Sequence, residues 1–334
     1  MRVVAGLAAA MTSIAIAASA TAQTGTATAT SADAWPNRPI KLIVPFTAGS
    51  SSDAVGRVVG QKLGERLGQN IVVENRVGAS GNLGTEGVAR SDPDGYTIGL
   101  ANTSTHAVAP SLSTTLRYDP IKDFTMISML GDSPFAIIVY PGMAAKSLKE
   151  LLDDAKARPK AFNYASAGPA SMSHLAGALL ERTANVELVH VPYRGTGQSV
   201  MDLITGRIEI VFATLPPSLQ LINEGKVRAL AVTGPRRSDT MKDVPTVAEQ
   251  GYPGFDATLW QAFVAPVGLP PAIAKRLTDE THAVLKDEAT RKLLAAQGVE
   301  PEASSPEGLA KRIRDDIEKW RAVIRGANIS VPKQ

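Results

Sequence analysis

Two stretches of this sequence, Phe46-Thr47-Ala48-Gly49-Ser50-Ser51-Ser52-Asp53 and Tyr164-Ala165-Ser166-Ala167-Gly168-Pro169-Ala170-Ser171, are built almost entirely from small and hydroxyl-bearing residues. Each lies between a β-branched or aromatic run and a helix-like run. Loops of this kind turn backbone N–H groups outward at a helix N-terminus, where the helix dipole favours a negative charge. An ordinary Ser/Gly turn with Asp53 as a helix cap is the other reading of the first stretch, and spacing alone leaves both open. In the second, hydroxyls and backbone offer neutral donors to a carboxylate without burying an unpaired charge. His174 stands one turn into the following helix, as a ligand contact or as a capping or surface histidine. A third loop, Pro192-Tyr193-Arg194-Gly195-Thr196-Gly197, carries a cation at a strand end. Arg194 there would pair with a carboxylate or bond a loop carbonyl.

Catalytic readings of the same residues lack their partners. Gly195-Thr196-Gly197-Gln198-Ser199-Val200 holds half of a dinucleotide fingerprint, and Gly78, Gly81 and Gly84 are wrongly spaced for one. No G-x-x-x-x-G-K-[ST] loop occurs. Ser50 to Ser52 invite a serine-hydrolase reading, yet G-x-S-x-G and S-x-x-K are absent around them and no base is placed. His106, His174, His190 and His282 have no metal-ligand spacing, H-E-x-x-H is missing and there is no cysteine, so neither a metal nor a cofactor is expected. Trp260 and Phe263 read as core or hinge aromatics, Trp260 gaining interest only for an aromatic substrate.

The elements that must position these loops follow from composition and periodicity. The chain has 334 residues, 44% hydrophobic and 20% charged, with a formal charge of +3 and no block of one sign. That is a globular composition with room for two domains, and it argues against nucleic-acid binding. Residues 1–22 read as a secretory signal: Arg2, then a short Ala-rich apolar run interrupted by Thr12 and Ser13, then small-x-small sites that place cleavage before Gln23. Residues 23–34 read as a flexible linker, and an exported, periplasmic protein is expected.

From Pro39 onward short strands alternate with capped helices. Ile40–Val44, Ile71–Val73 and Tyr96–Ala101 read as strands. Val55, Val59, Leu63 and Leu67 mark a helix ended by Gly68, and Gly84 to Arg90 another. After a connecting region at Leu116–Asp132 the pattern restarts. Strands are expected at Phe135–Tyr140, Phe162–Ala165, Val186–Val191, Ile208–Phe212 and Val227–Val232, with helices after the Ser147…Glu150 capping box, over Ser171–Glu181 and through Val200 and Leu203. Beyond a strand at Ala257–Val264 the chain reads as helical only. Helices run through Ile273, Leu277 and Val284, and from Ser305-Pro306 to Gly326. This order implies two α/β lobes joined by two crossing strands near Phe135 and Trp260, with a ligand cleft between them. Lobe 1 comprises 35–134 and 262–334, and lobe 2 comprises 135–261.

Pro45-Phe46-Thr47-Ala48-Gly49 through Asp53, Glu74-Asn75-Arg76 with Gly78, Gly81 and Gly84, Asp92-Gly95-Tyr96-Thr97, Tyr164-Ser166-Gly168 with His174, Val191-Pro192-Tyr193-Arg194-Gly195 and Glu318-Lys319-Trp320 occur in this order between Trp35 and Ile329. In these features the sequence resembles the tripartite tricarboxylate transporter substrate-receptor family, also called the Bug family. The resemblance implies a type II periplasmic-binding-protein fold, no enzymatic activity, no cofactor, and a monomer that binds a small carboxylate and hands it to a membrane permease. It implies ligand contacts from Phe46, Thr47, Ala48, Gly49, Ser50, Ser51 and Asp53, with Thr103 and Ser104 nearby. From the second lobe it implies Ser166, Ala167, Gly168, Ser171, His174, Tyr193 and Thr214, through backbone amides and bridging waters. Two departures stand out: Gly49-Ser50 replaces the family's usual Gly-Gly, and Ala170 stands where glycine is common. Delivery to a two-component sensor in place of a permease is the alternative output, and a serine hydrolase the remaining alternative.

Overall fold

The computed structural model describes residues 35–330 except 114, 194 and 195. The signal and linker expected over 1–34, and Arg194, lie outside the described residues. Strand β1 (Ile40–Val44) feeds helix α1 (Ser51–Leu67), whose Val55, Val59, Leu63 and Leu67 are buried as their i+4 spacing requires. Gly68 ends it in the left-handed region at φ 72°, its N–H returning to the Gly64 carbonyl. The N-cap is Ser50, not Asp53: Ser50 Oγ accepts from the Asp53 N–H at 3.2 Å, and Asp53 accepts from the Gly49 N–H at 2.9 Å. Asp53 is thus the return arm of a box capped by Ser50, taking the N–H of Gly49, one residue before the cap.

Strand β2 (Ile71–Asn75) leads through a tight turn to α2 (Asn82–Ala89), and β3 (Thr97–Asn102) into a single π-turn, Ser104–Val108, continued as α3 (Ala109–Leu112). Next comes β4 (Phe124–Val139), a 16-residue strand. Its first half was expected to be a connection and its strand to begin at Phe135. Burial of nearly every residue on both faces removes the alternation that marks a strand, and register shifts after Met126 and Met129 break the period further.

The second half of the chain adds α4 (Leu148–Ala157), β5 (Asn163–Ser166), α5 (Met172–Ala184), β6 (Val189–Pro192), α6 (Thr196–Ile204), β7 (Ile210–Thr214), α7 (Leu215–Asn223) and β8 (Arg228–Val232). The chain returns on β9 (Thr258–Pro266) and ends with α8 (Pro271–Lys286), α9 (Glu288–Ala296), β10 (Glu300–Pro301) and α10 (Pro306–Gly326). In the α4 box Ser147 caps Glu150 as expected, but Glu150 takes the N–H of Lys146, one residue earlier. The two-residue β10, antiparallel to β4, corrects the expectation that this quarter is helical only.

Strand pairing explains the two lobes. β2, β1 and β3 are parallel, β9 runs antiparallel to β3, and β4 antiparallel to β9 from Phe124 to Pro134. At Phe135 strand β4 changes partners, pairing β7 and β8 to Val139, while β7, β5 and β6 are parallel. One continuous strand therefore belongs to both sheets, and the return onto β9 beside Pro134 is the second crossing. Helix α10 packs on β4, the π-turn and α3, and also on α5, so it spans the junction. Among the described residues no helix is long and apolar enough to cross a membrane.

Candidate functional site

Both parallel sets end their strands toward the junction, where ligands bind in open α/β sheets. A cavity of about 400 Å³ opens there between the lobes. The first lobe lines it with Phe46, Ser80, Asn82, Ser104 and the apolar face of Val108 to Leu112, the second with Pro169, Ala170 and Ser171. None of these lining residues is charged. A larger groove of about 910 Å³ along α1 and β2 draws on one lobe alone and on none of the strand-end loops, so it is the weaker candidate.

Of the residues singled out by sequence, Phe46, Ser104 and Ser171 line this cavity. Thr47, Ala48, Gly49 and Ser51 are exposed at the tip of the β1–α1 loop. Asp53 is buried beneath it and anchors it, accepting from Gly49 N–H, from Asn75 Nδ2 at 2.8 Å and from Arg57 Nε at 3.0 Å. Burial works against its charge, but the bonds from Arg57, Asn75 and Gly49 outweigh it and hold the carboxyl below its ordinary pKa. Its negative charge is already matched, so its role toward an anion is to fix the loop.

Thr103 is fully buried, its hydroxyl accepting from the Trp260 N–H at 2.9 Å and lying 3.3 Å from the Thr258 carbonyl. That hydroxyl ties β3 to β9. Ser166 is likewise buried, with Oγ 2.6 Å from His190 Nε2 and 3.1 Å from the Gly168 N–H. Gly168 adopts φ 118°, which only glycine takes without strain, and so turns the chain toward α5. Ala167 is exposed beside it. Ser171 caps α5, accepting from the His174 N–H and donating to the Gly168 carbonyl at 2.7 Å. Tyr193 donates from its hydroxyl to Asp202 at 2.9 Å, and Thr214 is exposed where β7 enters α7.

His174 is a structural hydrogen-bond acceptor, its Nδ1 taking the Ala170 N–H at 3.0 Å. Its ring stacks on His190 with centroids 3.7 Å apart and planes 6° from parallel. Burial, and secondarily the His190 ring, pushes His174 down to about 4, and burial lowers His190 as well. Both rings are therefore neutral at pH 7 and stiffen the loop that bears Pro169 to Ser171. The Ser50 to Ser52 run shows no hydrogen bond to a histidine among the described residues: Ser50 caps α1, and Ser52 accepts from Asn102 Nδ2 at 3.3 Å. No cluster of three metal-ligating side chains occurs among the described residues either.

Sequence reasoning missed the β2–α2 turn that supplies Ala79, Ser80 and Asn82. Gly78, Ala79, Ser80 and Gly81 have φ of 139°, 47°, 57° and 96° in succession, so two non-glycine residues sit in the left-handed region at the cavity wall. The signal was present, since Gly-Ala-Ser-Gly between a strand and a helix repeats the design of the other two loops.

Residues 55–329 match the family model described as Tripartite tricarboxylate transporter family receptor. The chain is 37% identical over 296 residues to Protein BugT of Bordetella pertussis, covering 88% of this chain and 91% of that one. Among solved structures, R. palustris Rpa4515 with adipate superposes with a TM-score of 0.73 at 33% identity, over 89% of this chain and 99% of that one. The periplasmic binding protein BugD gives 0.70 at 33% identity over the same shares.

Proposed function

Since the chain belongs to the tripartite tricarboxylate transporter receptor family, a family of solute-binding proteins and not of enzymes, we propose that its cleft captures a small organic carboxylate for a membrane permease in the periplasm. The observation that carries this reading is the cavity of about 400 Å³ walled by loops of both lobes. A ligand that touches both walls binds the closed form better than the open one, and so stabilises closure. The uncharged lining fits recognition by helix N-termini, hydroxyls and backbone N–H groups. Phe46 to Ser51 and Ser104 would act from lobe 1, residues 35–134 and 262–334. From lobe 2, residues 135–261, Ala167, Gly168, Ser171, Tyr193 and Arg194 would act, with Thr214 at its α7 mouth. Asp53, Thr103, Ser166 and His174 hold these groups in place. Adipate in Rpa4515 supports a carboxylate of this size.

Thermal unfolding of residues 23–334 against adipate, malate, citrate and benzoate tests the reading, because ligand at 100 times its Kd adds about 2.7 kcal/mol to stability. A clear rise in midpoint with one acid is expected, and a flat panel overturns the assignment. Asp53→Ala and Gly168→Val should each weaken that acid about tenfold or more while leaving a folded protein, the first by freeing the Gly49 loop, the second by forcing a β-branched residue to φ 118°. Unchanged affinity in both would move the site elsewhere.

A further inference from the structure

Gln261 lies on β9 between Trp260 and Ala262 and is fully buried, and neither its Nε2 nor its Oε1 has a hydrogen-bond partner. It is the one side-chain carboxamide among the described residues with both polar atoms in this state. Leaving such a group unpaired is costly, and an apolar residue of the same shape would remove the cost. Strand register shows where the side chain lies. Gln261 is directly opposite Asn102, the last residue of β3, so the two share a face of the sheet. Asn102 Nδ2 donates to Ser52 Oγ in the first turn of α1, which places that face under the β1–α1 loop. Trp260, the preceding residue, faces the other way and donates from Nε1 to Asp316 of α10 at 2.7 Å. Gln261 thus sits at the carboxyl edge of the first-lobe strands, on the floor beneath the loop Phe46–Asp53.

We propose that Gln261 is a specificity-determining residue, and that the ligand carries, besides its carboxylate, a hydroxyl that accepts from the Gln261 amide nitrogen and donates to the amide oxygen. A bare carboxylate only accepts hydrogen bonds, so it would leave Oε1 unpaired. A hydroxyl satisfies both atoms. Sites built to bond a hydroxyl discriminate strongly against the analogue that lacks it, because their own buried groups are then left unpaired. This inference rests on the receptor reading above.

The test uses acid pairs that differ by one hydroxyl: malate and succinate, citrate and tricarballylate, mandelate and phenylacetate, measured by calorimetry on the wild type and on Gln261→Met. In at least one pair the wild type should bind the hydroxy acid about tenfold or more tightly. Gln261→Met should abolish that preference while raising the unfolding temperature of the unliganded protein, an effect opposite to the loss of a structural contact. Equal affinity within every pair that binds overturns the inference and leaves the receptor reading standing, and needs no variant. Retained discrimination in Gln261→Met overturns it as well. A wild type that binds none of the six acids overturns this inference, and the receptor reading falls with it only when adipate and benzoate fail to bind as well.

Discussion

Replacing Arg312 by leucine is expected to lower the free energy of unfolding by about 3 to 5 kcal/mol at pH 7.5, the usual cost of removing one member of a buried ionic cluster. From α10 the guanidinium donates to Asp316 Oδ2 at 3.1 Å and to Thr258 Oγ1 at 3.0 Å, is ion-paired with Asp256 Oδ2 at 2.7 Å, and stands 3.9 Å from Asp132 Oδ1. Burial works against its charge, but the carboxylates of Asp256, Asp316 and Asp132 outweigh burial and raise its pKa. Asp132 and Asp316 are both buried, so leucine would strand negative charge at the point where β4 enters the second lobe and β9 returns. Asp316 keeps Lys319 at 2.8 Å and the Trp260 indole; Asp132 keeps the Thr258 hydroxyl at 3.0 Å and the more distant attraction of Arg236. Arg312→Lys, which retains charge but loses the fork, should fall between wild type and Arg312→Leu. Urea unfolding of the three proteins decides the matter, and a loss in Arg312→Leu below about 1 kcal/mol would show that the cluster behaves as a solvated surface pair.

Elements fixed by local chemistry were readable in the sequence. The i+4 stripe of α1, the Gly68 stop, the Ser147 cap and the Ser305-Pro306 entry to α10 each depend on residues within one or two turns, and each is found in the structure. The first half of β4 was hidden because what defines it is contact with β9, whose residues are more than a hundred positions away. The same distance hid the site's supports. His190 reaches His174 because β5 and β6 pair with Tyr164 opposite His190, and nothing near either histidine announces that pairing. Gln261 is a polar residue flanked by apolar ones in β9, and the pairing with Asn102 shows which face it occupies. The loop types were legible since glycine and serine carry their own reason; which hydroxyls line the cavity and which are spent inside the fold was not. Ser171 and Ser166 belong to one loop, yet one lines the cavity and the other is sealed against His190.

Asp132→Asn is expected to stabilise the protein above pH 7 by up to about 3 kcal/mol and to leave it unchanged below pH 4. Burial is the main cause that lifts the Asp132 carboxyl from 3.8 to about 6; the attraction of Arg312 and the Thr258 hydroxyl oppose the rise, and Asp256 and Glu302 add to it. A carboxyl with a higher pKa when folded binds its proton more tightly in the native state. Its favourable contribution is therefore complete below the unfolded value and is lost as pH rises from about 4 through about 6. At about 1.4 kcal/mol per pH unit the loss is about 3 kcal/mol. Asparagine keeps an oxygen for the Thr258 hydroxyl and carries no charge, so the variant escapes the penalty. Urea unfolding at pH 4, 5, 6 and 7.5 should show wild type falling away from Asp132→Asn across that window. A variant less stable than wild type at pH 7.5 would mean that Arg312, even at 3.9 Å, compensates the charge fully. The two substitutions also test each other. If stranded Asp132 charge is a large part of the Arg312→Leu loss, that loss should shrink by about 1 kcal/mol or more in the Asp132→Asn background, and strict additivity would assign it to Asp256 and Asp316 instead.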